Sequence, residues 1–225
     1  MDETGTRNLA AESAFESAFE SAFESAFAAV LLEHAGGGAQ RVVGGDGSTA
    51  RVVLAPVEGR AVLDLRTVSS PVRDTFATVL GLQLPTVAWL SAADAEGRVH
   101  ALWTGPGNWL ITCPDAQRPD LEARLRTALE GMTGALTDVG AGFAVLNLSG
   151  PAAADVLAQG CTIDLDPAAF PEGACAMTAL ARMRVVIHRL PQAGGYDVYV
   201  ARSFAGSLWQ WVTVAALEFG YRVGQ

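Results

Sequence analysis

The chain has 225 residues, enough for one large domain or two small ones with a sizeable core. Half of it is hydrophobic, the formal net charge is −9, and all 15 basic residues are Arg. That balance argues against nucleic acid or an anionic membrane as the main partner, because either needs a basic face and no Arg cluster supplies one.

Residues 12–27 are four tandem copies of Glu-Ser-Ala-Phe. On a helix, Phe15, Phe19, Phe23 and Phe27 would form one drifting stripe, and Glu12, Glu16, Glu20 and Glu24 another with like charges at i,i+4. An amphipathic docking helix and a repeat expansion in a tolerant tail both fit this pattern. Ala35 to Thr49 is Gly-rich and has the composition of a linker. Residues 1–50 are therefore expected to be a flexible, low-complexity N-terminal extension, and residues 51–225 the folded domain. The acidic N-terminus does not read as a signal peptide, and no uncharged apolar run reaches membrane-spanning length, so the expected location is the cytoplasm.

Within the domain, Ala61-Val62-Leu63-Asp64-Leu65 predicts a strand. Ser70-Pro71 opens a helix to about Leu80, which Gly81 ends and Pro85 keeps from continuing. Val87 to Leu90 is a strand candidate. Val99–Thr104 and Asn108–Thr112 flank Gly105-Pro106-Gly107, a hairpin signal. Asp120 to Gly131 is amphipathic, with Leu121, Leu125, Ala128 and Leu129 inward. A strand over Ala135–Val139 leads to Ala144–Leu148, an apolar run stopped by Ser149-Gly150-Pro151. Ser149 or Gly150 suits an N-cap, Pro151 the first helical turn, and Gly160 a left-handed C-terminal position. Asp164-Leu165-Asp166-Pro167 and Phe170-Pro171 mark a proline-pinned connection. Cys175–Leu180, Met183–Arg189 and Tyr196–Val200 read as strands, with Gly194-Gly195 turning the last pair. Ser203 to Phe219 is the final helix. Strands and single helices thus alternate twice, and the pattern predicts an α+β fold of two related, ferredoxin-like halves.

Candidates for chemistry are few. Ser149 lacks the Gly-x-Ser-x-Gly setting of a nucleophile and has no base at motif spacing. His34 lies in the tail, while His100 and His188 sit in strand candidates without a Cys or carboxylate at ligand spacing. Asp164 and Asp166 could do acid–base work or bind metal, but Asp-rich turns before Pro are commonly structural. Cys113, Cys161 and Cys175 match no zinc pattern and read as reduced thiols. No phosphate-binding Gly motif opens a helix, and Gly105-Pro106-Gly107 lacks the N–H that a phosphate cradle would use. No catalytic, cofactor-binding or metal residue is therefore expected in this chain.

The final helix points toward a partner. Ser203 to Leu217 contains no charged residue, and its apolar positions cover nearly the whole circumference. Such a helix is buried on both faces by its own protein or lies under another chain. Phe204, Leu208, Trp209, Trp211 and Val212 are the candidate interface, since Trp is enriched at binding hot spots.

Leu148-Ser149-Gly150-Pro151, Asp155-Val156-Leu157, Gly160-Cys161, Asp164-Leu165 and Phe170-Pro171 together resemble the gamma subunit of heterotetrameric sarcosine oxidase. Trp103 to Leu110, Arg202-Ser203-Phe204-Ala205 and Leu208-Trp209 extend the resemblance to roughly residues 58–222. The resemblance implies a fold similar to the folate-binding aminomethyltransferases. It also implies a place in a complex that demethylates sarcosine to glycine, hydrogen peroxide and a one-carbon unit passed to tetrahydrofolate. The implied partners are alpha, beta and delta subunits. FAD, FMN, NAD, zinc and tetrahydrofolate would belong to those partners or to the complex, with none held by this chain. A stand-alone folate-binding protein is the alternative. A related iron–sulfur maturation family carries Lys-Gly-Cys-Tyr where this chain reads Gln159-Gly160-Cys161-Thr162, so two of its residues are missing here. A stand-alone interaction module is a third class.

Overall fold

The structure, a computed structural model, describes residues 42–45, 49–67, 72–191 and 195–224, with no side chains for 72–74. The Glu-Ser-Ala-Phe array, His34, Ser70-Pro71 and Gly194 lie outside the described residues.

From Arg60 onward the chain runs through one pattern twice. The first pass is β2 (Arg60–Thr67), α1 (Val72–Leu80), β3 (Ser91–Ala93), β4 (His100–Gly105), β5 (Asn108–Pro114), α2 (Arg118–Leu129) and β6 (Gly134–Asp138). The second is β7 (Phe143–Ser149), α3 (Ala153–Ala158), β8 (Cys175–Leu180), β9 (Met183–Arg189), β10 (Tyr196–Ala201), α4 (Ala205–Ala216) and β11 (Tyr221–Val223). The first pass forms a sheet ordered β3-β4-β5-β2-β6, and the second repeats it as β8-β9-β10-β7-β11. A leading strand, β1 (Val52–Pro56), inserts between β7 and β11, antiparallel to the former and parallel to the latter. Without the extra edge strands β3 and β8, each order is that of a ferredoxin-like βαββαβ unit, as the alternation of elements predicts.

Side-chain alternation sets the layers. Val62, Leu102 and Leu110 of the five-stranded sheet meet Val145, Cys175, Val186 and Tyr199 of the six-stranded sheet in one core. On the opposite face of the first sheet, Leu63, Leu65 and Ile111 pack with Phe76 and Leu80 of α1 and Leu121 and Leu125 of α2. On the far face of the second sheet, α3 buries Ala153, Val156 and Leu157, and α4 buries Leu208, Trp209 and Val212. The two sheets thus lie face to face with helices outside. They are stitched at one edge, where Leu90 bridges Ala174 and Ser91 N–H donates to Gly173 O at 3.0 Å.

Several local expectations change. Val87 to Leu90 is not a strand: Trp89 takes a left-handed φ of 71°, Leu90 makes an isolated bridge to Ala174, and β3 starts at Ser91. Ser149 does not cap α3: the cap residue is Ala152, without a side-chain bond, and the chain first turns through Pro151-Ala152. Gly160 has no positive φ; it is small because Trp211 lies over it, where a Cβ would come within 2.5 Å of the ring. Val43, in the expected linker, bridges Tyr221, so pairing on the six-stranded sheet begins before Arg51. Among the described residues, no helix is long and apolar enough to cross a membrane.

Candidate functional site

Among the described residues, the seam between the sheets combines an apolar core with a buried polar cluster. On the six-stranded sheet, register aligns Asn147, Asp197, His188 and Cys175 across β7, β10, β9 and β8. On the other sheet, Val62, Thr112 and His100 align across β2, β5 and β4. Strands side by side place equivalent positions on one face, so these rows confront each other. His100 and His188 meet edge to face with centroids 5.2 Å apart. Arg60 reaches across, donating to the Tyr199 hydroxyl at 3.2 Å and standing 3.5 Å from Asp197 Oδ2. Asn147 Nδ2 donates to Asp197 Oδ1 at 2.8 Å.

Burial governs the titration of this cluster. His188, 1% exposed, is pushed down to about 3 by desolvation, helped by the charges of His100 and Arg60. His100 is lowered by burial and then by Arg60. Burial raises Asp197, with Asn147 and Arg60 pulling the other way. Burial pushes the Tyr199 hydroxyl up to about 12, with Asp197 adding to the rise.

Ser91 Oγ and His188 Nε2 are 3.1 Å apart, a spacing that invites comparison with a nucleophile and its base. The proton runs the wrong way for that. Ser91 donates its one hydroxyl proton to Gly173 O at 2.5 Å, so the bond to His188 has the imidazole Nε2–H as donor. The basic nitrogen, Nδ1, then faces the interior, with no hydrogen-bond partner among the described residues. The pair ties β9 to β3 and does not activate the serine. Among the described residues no group of three or more His, Cys, Asp or Glu is placed to hold a metal.

The other sequence candidates resolve into structure. Asp164 Oδ1 accepts from Asp166 N–H at 2.9 Å and Asp166 Oδ1 from Ala168 N–H at 2.8 Å, the turn-forming role of Asp before Pro. Cys113, Cys161 and Cys175 are free, and burial pushes the Cys113 and Cys175 thiols up to about 11 and about 12. Of the five interface candidates, Leu208, Trp209 and Val212 are 1%, 3% and 0% exposed, buried within the chain itself. Trp211 is half-buried over Gly160, and Phe204 is exposed. Sequence reading missed a second exposed apolar segment, Thr86 to Leu90, in which Val87, Trp89 and Leu90 are large and exposed.

Two ferredoxin-like units with their sheets face to face define the aminomethyltransferase fold class. The chain matches the glycine cleavage system aminomethyltransferase T of Bartonella henselae with a TM-score of 0.52 over 78% of this chain and 48% of that one. At 12% identity that likeness shows the fold alone. Residues 69–218 match the sarcosine oxidase gamma subunit family model, and the chain belongs to that family. It is 35% identical to the sarcosine oxidase subunit gamma of Arthrobacter sp., over 77% of this chain and 84% of that protein. The identity to the subunit of the same name from Corynebacterium sp. strain P-1 is 34%, over 64% and 69% respectively. Among solved structures, a chain of the heterotetrameric sarcosine oxidase of Corynebacterium sp. U-96 in complex with pyrrole 2-carboxylate matches with a TM-score of 0.70. That match is 30% identical and covers 76% of this chain and 87% of the other.

Proposed function

We propose that this chain is the gamma subunit of a heterotetrameric sarcosine oxidase, acting in assembly and stability and not in catalysis. The observation that carries the reading is family membership joined to a fold match over 87% of a chain of a solved heterotetrameric oxidase. In this reading the partners are alpha, beta and delta subunits, which hold FAD, FMN, NAD and zinc and pass the one-carbon unit to tetrahydrofolate. The reaction is oxidative demethylation of sarcosine to glycine with release of hydrogen peroxide. The inter-sheet cluster supports a structural role, since its serine lacks a base and His100, His188 and Asp197 are buried. The stand-alone folate-binding alternative rests on fold likeness at 12% identity.

The test is to produce the other subunits with and without this chain. A subunit that binds only the folded assembly stabilises it by mass action, so its omission should lower the yield of flavin-bearing complex by at least about fivefold. Activity per flavin in whatever still assembles should stay within about twofold, as expected when no transition-state contact is removed. Unchanged yield would contradict the assembly role. Unchanged yield with lost activity would make the chain catalytic.

A further inference from the structure

We infer that a buried water molecule bridges the two sheets, held by His188 Nδ1, Asp197 Oδ2 and Thr112 Oγ1. These three atoms are buried and have no hydrogen-bond partner among the described residues. The residues that carry them are 1%, 1% and 0% exposed. A polar atom buried without a hydrogen bond gives up its solvation for nothing, so three in one cluster call for a shared partner.

Strand order brings the three together. Asp197 and His188 are direct neighbours across β10 and β9, and Thr112 and His100 across β5 and β4. His100 faces His188 across the seam. Cys175, one strand beyond His188, reaches Leu90 O and Trp103 O at the matching edge of the other sheet. The two rows therefore run in step, which sets Thr112 opposite Asp197. Stacked sheets stand about 10 Å apart, and Thr and Asp are short side chains. The gap between them is one that a single water spans with two hydrogen bonds of about 2.8 Å each.

Donors and acceptors name the occupant. His188 Nε2–H is spent on Ser91, which leaves Nδ1 as an acceptor. Asp197 Oδ1 accepts from Asn147, and Oδ2 is a second acceptor, with Arg60 its ion-pair partner at 3.5 Å. The Thr112 hydroxyl is free to rotate and donate. A water matches that set: its two protons go to Nδ1 and Oδ2, and its oxygen accepts from Thr112. Three bonds is also the usual number for a buried water. An anion would meet two acceptors. A cation would stand beside the Arg60 guanidinium, which already balances the carboxylate, and no group of three metal-ligating residues is present among the described residues. His100 Nε2 is committed elsewhere, to Gly97 O at 3.0 Å. The Tyr199 hydroxyl, which accepts from Arg60, also lies near Thr112 and is the rival partner. A sealed water that donates to Nδ1 favours the neutral imidazole, whose titration burial already depresses. It joins β5 of the first unit to β9 and β10 of the second, so the halves are hydrogen-bonded as well as packed.

The test is a crystal structure of the full chain, free or in its complex, at a resolution that shows ordered water. The expected result is a water peak within about 3.2 Å of all three atoms. Side chains bonded directly to one another in its place, or a peak with the anomalous signal of a metal ion, overturn the inference. Urea unfolding of the full chain gives an independent reading through its sign. Thr112→Val keeps the shape and removes the hydroxyl. If that hydroxyl donates to a water, the substitution leaves the water short of a bond and should raise the unfolding equilibrium constant about fivefold. A hydroxyl buried without a partner is better replaced by a methyl group, so an unchanged or lowered constant overturns the inference. In a Tyr199→Phe background the Thr112→Val effect should persist to within about twofold. Its disappearance there would make Tyr199 the partner and overturn the inference as well.

Discussion

Trp209→Ala should lower the stability of the chain by about 3–5 kcal/mol, the usual cost of emptying a buried aromatic site. Trp209 is 3% exposed, between Leu208 at 1% and Val212 at 0%, on the face of α4 turned to the six-stranded sheet. Against a total stability of about 5–15 kcal/mol, that loss removes a large share of the folded margin. Trp209→Asp should be worse, because it adds an unpaired charge to the same site, and the chain should then fail to fold. Trp211→Ala should cost less, since that ring is half-buried and its contact is with Gly160. Urea denaturation followed by circular dichroism measures all three. A Trp209→Asp chain that folds normally but fails to assemble would show that a partner, and not the chain's own sheet, covers this face.

Acid should weaken the seam between the sheets. His188 is held near 3 in the folded chain against about 6.5 unfolded, so the unfolded chain binds the proton first. Its contribution is therefore fully present above about pH 6.5 and is lost as the pH falls from there toward 3, by up to about 1.4 kcal/mol per pH unit. That amounts to about 2 kcal/mol at pH 5. His100, on the facing strand β4, is shifted the same way and adds to the loss. Asp197, on β10, is shifted upward and opposes it, because its folded form takes up a proton before its unfolded form does. Arg60 reaches in from β2, so each protonated imidazole adds a buried cation near its guanidinium. Gln in place of His188 keeps a donor for Ser91 and removes the titration. In His188→Gln the stability difference between pH 7.5 and pH 5 should shrink by about 2 kcal/mol relative to wild type. An unchanged difference would mean that the imidazole is reached by water and gains its proton at an ordinary pH.

Much of the fold is legible in the sequence because it is local. The hairpin at Gly105-Pro106-Gly107 and the amphipathic period of α2 each lie within about a dozen residues, the range over which pattern reading works. The duplication is legible too, as a repeated order of elements without a repeated sequence. β1 and β11 escape because one follows a Gly-rich run and the other has three residues, too few to show a period. The polar seam escapes for a different reason. His100 and His188 each read as a histidine in a strand, and only sheet order and register bring them 5.2 Å apart. Arg60 and Tyr199, bonded across 139 positions, carry no mutual signal in a single sequence. In α4 one face is buried, with Leu208, Trp209 and Val212, while Val214 is exposed, and composition does not separate the two faces. Trp89 escapes because its apolar neighbours mimic a strand while its backbone takes the left-handed turn that β-propensity argues against.

Family membership and the match to a chain of a solved heterotetrameric oxidase make joining an oxidase complex the role to test. The most direct measurement is size-exclusion chromatography with mass determination, comparing the chain made alone with the chain made beside the other subunits. The expected result is a yellow complex whose mass includes one copy of this chain, and poor solubility or aggregation of the chain made alone. A well-behaved monomer that ignores those partners would contradict it.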